Sequence, residues 1–334
     1  MKRKRNEAEM KVGIVIISYN NENHIVEAIE SIKNQTLKDW VCVMVDNGST
    51  DPTFEIIQKA IEGDQRFLAR KKSNEGPAAG RNVGYAMLPK DIEYVHFLDG
   101  DDVLKPTYLE TLVSYLEEHP EVGLAACQFD EIDFDSNDCG KGHRSRFAPN
   151  KMGWPHDLPL AEYNTPFVSF FASTAVGPFG VYRKSVFEKT NGYELKSQED
   201  TDMFCKMSLL AEVHYLPEYL YKKRRHANNL AHKKSYRKTH QVFRDKWDLY
   251  QSDDPKENEI IRNAIRYYYL RHKPLRDFKV SMRAFKKFLR SFNFNELKWS
   301  FQVFGDGLSE VFLRKTYNKV MARREEQSQV AKSA

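Results

Sequence analysis

The sequence predicts an α/β fold: a mixed, mostly parallel sheet flanked by helices, followed by a helical C-terminal region. Three observations carry this reading. Short apolar, β-branched runs such as Val12–Ser18 (VGIVIIS), Trp40–Val45 (WVCVMV) and Tyr94–Leu98 (YVHFL) are continuous rather than alternating, as expected of strands buried on both faces. Segments with helical spacing separate them, which implies right-handed crossover units. Polar clusters follow several of these strands, at the carboxyl ends where open parallel sheets bind ligands.

The elements follow in order. Val12–Ser18 is the first strand. Asn23–Gln35 places Ile25, Ala28, Ile29 and Ile32 on one helical face. Trp40–Val45 is the second strand, Thr53–Ile61 a helix and Arg66–Lys71 a third strand. Gly80–Met87 reads as a short helix, Tyr94–Leu98 as a strand, Thr107–Glu118 as a helix and Val122–Asp130 as a strand. From Asp135 to Pro166 the chain reads as a loop, long enough to act as a flap or an acceptor loop. Lys184–Thr190 is a short helix before the Asn191-Gly192 turn. Asp200–Ala211 is helical, with Met203, Met207 and Leu210 on one face. Val213–Leu220 is a last strand, interrupted by Pro217. Beyond about His240 the chain is basic and helical in pattern. These elements divide it into a basic tail over 1–10, a catalytic domain over 11–235 and a helical basic region over 236–334.

Composition narrows the possibilities. A chain of 334 residues with 30% charged residues and a net charge of +5 reads as an ordinary globular protein. Its four cysteines form no C-x-x-C pair, which argues against a zinc cage. The first ten residues carry no apolar signal core, and no run reaches the length of a spanning helix. The expectation is a reduced, cytoplasmic protein.

Five polar clusters carry chemistry. Asp99-Gly100-Asp101-Asp102 sets carboxylates around one small residue in a turn, a pattern able to hold Mn²⁺ or Mg²⁺. Asp46-Asn47-Gly48-Ser49-Thr50-Asp51 follows a buried strand. Asp46 there can accept from a base N–H or a ribose hydroxyl, while Ser49 or Asp51 can cap the next helix. The stretch Asn74 to Gly84 supplies small residues, with Gly76 for close approach and Arg81 facing either a phosphate or base, or a surface carboxylate. Glu199-Asp200-Thr201-Asp202 offers a carboxylate base, though acids also suit a helix N-terminus. Lys222-Lys223-Arg224-Arg225-His226 is either a set of diphosphate and metal contacts or a basic linker.

Read together, these residues resemble the family 2 glycosyltransferases with the GT-A fold over roughly residues 11–230. Val15-Ile16-Ile17-Ser18-Tyr19-Asn20 is similar to the family's first strand, and Asp46-Asn47-Gly48-Ser49-Thr50-Asp51 to its uridine-binding turn, with Asn47 where an Asp is usual. Asp99-Gly100-Asp101-Asp102 looks like the DxD element. His226 followed by Asn228-Asn229-Leu230 resembles the closing motif. The resemblance implies donor binding by Ser18, Tyr19, Asn20, Asp46, Gly76, Arg81, Asp99 and Gly100, and metal binding by Asp101 and His226. It implies Asp200 as catalytic base, with Glu199 and Gly177 toward the acceptor. The expected activity is inverting transfer of a single sugar from a UDP-sugar donor to a saccharide or lipid-linked saccharide, as in cell-surface polysaccharide or glycolipid synthesis. The processive members' Gln-x-x-Arg-Trp motif is not present in the sequence. A non-catalytic nucleotide-sugar-binding module is the alternative. A nucleotidyltransferase is disfavoured, since Tyr19-Asn20-Asn21-Glu22 stands where a Gly-rich phosphate loop would be, and a dehydrogenase because no GxGxxG follows strand one. In the C-terminal region Phe278, Met282, Phe285 and Leu289 share a helical face beside basic residues. That pattern suits contact with the inner face of a membrane, or packing on the catalytic domain. No nucleic-acid-binding motif accompanies the charge.

Overall fold

The computed structural model describes residues 11–141, 180–195 and 199–225, with the isolated positions Lys246, Asp253 and Pro255. The chain divides into two compact units, Met1–Glu257 and Asn258–Ala334, and every described residue belongs to the first. Gly177, His226, the basic tail over 1–10, the region after 257 and most of the long loop lie outside the described residues.

Among the described residues nine strands form one sheet in the order β3-β2-β1-β4-β8-β6-β9-β5, with β7 added beside β6. Strands β1 (Val12–Ser18), β2 (Trp40–Asp46), β3 (Phe67–Lys71) and β4 (Tyr94–Asp99) are mutually parallel. Strand β8 (Gly180–Arg183) runs antiparallel between β4 and β6 (Val122–Ile132). Strand β9 (Glu212–Arg224) is parallel to β6, and the two-residue β5 (Val103–Leu104) closes the far edge against it. The sheet is therefore mixed, with a parallel half, as the sequence pattern implies.

The continuous apolar runs follow from burial on both faces. Val12, Ile14 and Ile16 of β1 face one core cluster, with the apolar sides of α1 (Ile25–Lys33) and α4 (Tyr108–Glu118) and with Ile57 of α2 (Thr53–Ala60). Val15 and Ile17 face a second cluster, with residues of α5 (Lys184–Phe187) and α6 (Glu199–Leu210). Helix α3 (Pro77–Ala86) packs over β1 and β2 on that second face, where a Cβ on Gly84 would collide with Val15.

Two segments differ from expectation. Part of the stretch read as loop pairs as β7 (Asp138–Lys141), an antiparallel hairpin on β6. Strand β9 runs four residues beyond Leu220, taking Tyr221 to Arg224 into the sheet. Pro217 sits where the β6–β9 register jumps, Cys127 pairing with Leu216 and Gln128 with Tyr219. A bulge needs no ladder N–H at that point, so the strand survives its proline.

Candidate active site

The site is assembled on the carboxyl edge of β1, β2 and β4. Register places Ser18 opposite Asp46 on one side of β1 and Ile17 opposite Asp99 on the other. Two motifs far apart in sequence thus flank the same strand end.

Asp46 is fully buried, and its Oδ1 accepts from the backbone N–H groups of Gly48 (2.8 Å) and Ser49 (2.7 Å). Its Oδ2 has no partner, and neither has the buried Ser18 Oγ of the neighbouring strand. Buried polar atoms rarely stay unsatisfied without a ligand or a water in view. The loops after β1 and β2 are stitched together: Asn20 N–H donates to Ser49 Oγ (2.9 Å) and Thr50 N–H to Asn20 Oδ1 (2.9 Å). Asn20 holds a left-handed backbone (φ 55°), which asparagine tolerates better than most residues. Tyr19 beside it is 47% exposed, so its ring is free to be covered by a flat ligand.

Asn47 joins the second cluster to the third. Its Nδ2 donates to the Gly76 carbonyl (3.1 Å), and Lys72 Nζ donates to its Oδ1 (3.2 Å). Gly76 caps α3 with φ 93°, a conformation that favours glycine.

The acidic turn follows β4. Gly100 N–H donates to the Ile17 carbonyl (2.8 Å), and a Cβ on Gly100 would lie 2.9 Å from Ser18 Cβ, so only glycine lets the turn close against β1. Asp99, Asp101 and Asp102 each place a carboxylate oxygen within 4.8 Å of the others. The three are not equivalent. Asp102 is buried, with Oδ2 accepting from the Tyr221 hydroxyl (2.6 Å) and Oδ1 from Arg224 N–H (2.8 Å). Burial, then the charges of Asp101 and Asp99, hold its pKa well above the usual carboxylate range. Asp102 thereby ties the turn to β9.

Arg224 strengthens that tie. The sequence allows it a diphosphate contact, but the side chain is fully buried and committed inside the fold. Its Nε donates to the Asp101 carbonyl (2.8 Å), Nη1 to the Asp133 carbonyl (2.9 Å) and Nη2 to Glu27 Oε2 (2.5 Å). One guanidinium thus joins the acidic turn, the β6–β7 hairpin and α1. Sequence reading missed this role, and that of Tyr221. The signal was faint: the apolar stretch Tyr219-Leu220-Tyr221 runs straight into the basic Lys222-Lys223-Arg224.

The fourth cluster starts α6. Arg81 of α3, only 2% exposed, meets carboxylates instead of solvent. Its Nη2 lies 2.9 Å from Asp99 Oδ1, and its Nη1 lies 2.9 Å from Glu199 Oε1 and 3.2 Å from Asp200 Oδ1. The cation therefore couples the end of β4 to the start of α6. Glu199 is consumed by that pairing. The Asp200 side chain keeps 24% exposure while its Oδ1 is buried, so its open portion lies on the Oδ2 side. Burial pushes the Asp200 pKa up to about 7, opposed by Arg81 and reinforced by Glu199 and Asp99. Asp202, on the same turn, is buried and held by Lys206 and Lys246. It belongs to the scaffold.

The loops after β1 and β2, an acidic turn and a partly open carboxylate with raised pKa thus share one sheet edge. Residues 13–190 match the model of glycosyl transferase family 2. The chain belongs to that family. An uncharacterized glycosyltransferase of Haemophilus influenzae is 25% identical over 326 residues, covering 84% of this chain and 97% of its own length. One from Rickettsia bellii is 35% identical over 200 residues, covering 60% of this chain and only 26% of the relative. The hyaluronan synthase of Pasteurella multocida is 27% identical over 225 residues, 67% of this chain and 21% of that protein. The last two matches therefore span about a quarter or less of those relatives. Among solved structures, S. aureus TarS 1–349 in complex with UDP-GlcNAc superposes with a TM-score of 0.61 at 18% identity, covering 90% of this chain and 82% of that one. The likeness shows the GT-A fold for this family 2 transferase. Among the described residues no helix is long and apolar enough to cross a membrane.

Proposed function

We propose that this family 2 enzyme transfers a single sugar, with inversion, from a UDP-sugar to a hydroxyl of a saccharide or lipid-linked saccharide, with the help of Mn²⁺ or Mg²⁺. The carrying observation is the arrangement around Arg81, which puts the donor-side Asp99 and the base candidate Asp200 on one guanidinium.

The unpartnered Ser18 Oγ and Asp46 Oδ2, with the exposed Tyr19 next to Ser18 in the chain, support recognition of the nucleoside at the β1–β2 end. Hard oxygen donors from Asp99, Asp101 and Asp102 fit a small divalent cation. Asp101 would be its main ligand, since both oxygens of Asp102 already accept protein hydrogen bonds. When bound, that cation would neutralise charge on the departing diphosphate. Asp200 would take the proton from the acceptor hydroxyl on Oδ2 as that hydroxyl attacks the anomeric carbon and the diphosphate leaves from the opposite face. A pKa near 7 suits a general base at neutral pH. Glu199 is the poorer base, being buried and paired at 2.9 Å. Peripheral contact with a membrane through the C-terminal region remains part of this reading, motivated by the basic amphipathic pattern.

The test is a screen of UDP-sugars for cation-dependent release of UDP, with Asp101→Ala and Asp200→Asn alongside. The proposal expects turnover that stops with chelator and falls at least about a hundredfold in each variant. Full activity in Asp200→Asn would overturn the base assignment, and full activity in chelator the cation.

A further inference from the structure

The first turn of α6, which carries Asp200, is held by cations from two directions. Arg81 of α3 lies 3.2 Å from Asp200 Oδ1 and 2.9 Å from Glu199 Oε1. Asp202 follows two residues later, about 200° round the helix from Asp200. Its side chain is 1% exposed, and Lys246 Nζ lies 2.9 Å from its carboxylate. Lys246 comes from the chain beyond β9. The same ammonium reaches Glu194 Oε2 at 2.6 Å, just ahead of α6.

Lys206, on α6 itself, does not duplicate this contact. An ammonium has three N–H donors. Those of Lys206 go to the carbonyls of Thr190 (3.1 Å) and Gly192 (2.9 Å) and to Glu194 Oε2 (3.1 Å). Its distance to Asp202 is 3.7 Å, beyond hydrogen-bond reach. Lys246 does donate to Asp202 Oδ2, at 2.9 Å. A buried carboxylate stripped of a charge partner is costly to keep, and Asp202 regains water only if the first turn of α6 frays or rotates. The other end of the bridge is firm. Asn82, next to Arg81 on α3, accepts from Tyr193 N–H (2.9 Å) and donates to the Tyr193 carbonyl (2.7 Å), which fixes the backbone beside Glu194.

We propose that Lys246 clamps the first turn of α6 by bridging Glu194 to Asp202, and is thereby a positioning residue for Asp200. It acts through the helix. With Arg81 on one side and Lys246 on the other, the turn resists rotation and Asp200 Oδ2 stays toward the cleft. The consequence for catalysis rests on the reading of Asp200 as base. The clamp itself does not.

The test has two arms. In the first, amide hydrogen exchange is followed at Met203, Phe204 and Cys205, whose helical hydrogen bonds close on the first turn. Lys246→Met is expected to speed their exchange at least about tenfold, and Lys246→Arg to restore it. Glu194→Gln, at a side chain 46% exposed, loosens the same bridge without stranding Asp202 and is expected to give a smaller change of the same sign. It keeps the test decisive if Lys246→Met does not fold. Wild-type exchange in either folded variant overturns the clamp, and this arm needs no turnover. In the second arm, UDP release with Mn²⁺ is measured with whichever of UDP-glucose, UDP-galactose and UDP-N-acetylglucosamine is hydrolysed fastest. Rates are expressed per UDP-binding site counted by calorimetry, so that unfolded protein drops out. Lys246→Met is expected to lower kcat about tenfold with donor KM unchanged, and Lys246→Arg to recover it. Wild-type kcat in Lys246→Met, with Asp200→Asn inactive, overturns the positioning role and leaves the base reading intact. Full UDP release by Asp200→Asn removes the base reading and with it the positioning role, while the exchange arm still decides the clamp.

Discussion

Replacing Asp200 with Asn is expected to make the protein more stable at pH 8 while destroying its activity. The folded protein raises the Asp200 pKa from an ordinary 3.8 to about 7, chiefly through burial. It therefore holds that proton roughly a thousandfold more tightly than the unfolded chain does, a difference of about 4 kcal/mol. The sign follows from which state binds the proton. Below pH 4 both states are protonated and the aspartic acid costs nothing. Between pH 4 and 7 the unfolded chain ionises first, so stability falls as pH rises, and above pH 7 the full cost is present. Asn is neutral throughout and escapes it. The attraction of Arg81 already opposes the rise and is contained in that figure, so a net stabilisation of up to about 4 kcal/mol is expected at pH 8. Urea unfolding of both proteins at pH 4.5 and pH 8 measures it, with the advantage of the variant growing toward the higher pH. An Asn variant that is less stable than wild type at pH 8, or whose advantage does not change with pH, would refute the burial argument.

Other perturbations follow from the same contacts. Arg81→Met leaves Glu199 buried without its 2.9 Å partner, and should lower unfolding free energy by about 3 kcal/mol in urea titrations, since stranding a buried charge is costly. An unchanged midpoint would mean the carboxylates find water instead. Gly100→Ala forces a methyl to within 2.9 Å of Ser18 Cβ and 3.0 Å of the Ile17 carbonyl. A loss of about 1–3 kcal/mol is expected, with a sharp fall in UDP release as the acidic turn shifts. Tyr221→Phe removes the donor to Asp102 Oδ2 at 2.6 Å. Thermal unfolding should register about 1–3 kcal/mol, and the cation concentration giving half-maximal UDP release should rise several-fold. If that concentration stays fixed, β9 does not hold the turn.

The amino-acid order alone determined the layered architecture and the placing of the polar clusters. Short continuous apolar runs rich in β-branched residues, such as Val12–Ser18, read as strands covered on both faces, and both faces are covered. Carboxylates that follow such strands in a parallel sheet must gather on one edge, and Asp46 and Asp99 do flank the end of β1. Where each cluster sat along the chain was therefore legible, and so was the family.

What the tertiary structure decided was the partner of each charge. Nothing local distinguishes Arg81, which binds acids from two other elements, from an arginine that meets phosphate. Nothing local separates Asp202, locked by two lysines, from Asp200 two residues earlier. The same is true of Arg224, whose basic run reads as a linker until β9 carries it under the acidic turn. Secondary structure is written in periodicities a few residues long, whereas the proton affinity of a carboxylate depends on burial and on charges brought within a few ångströms from distant stretches of chain. Only the packed sheet edge brings those together.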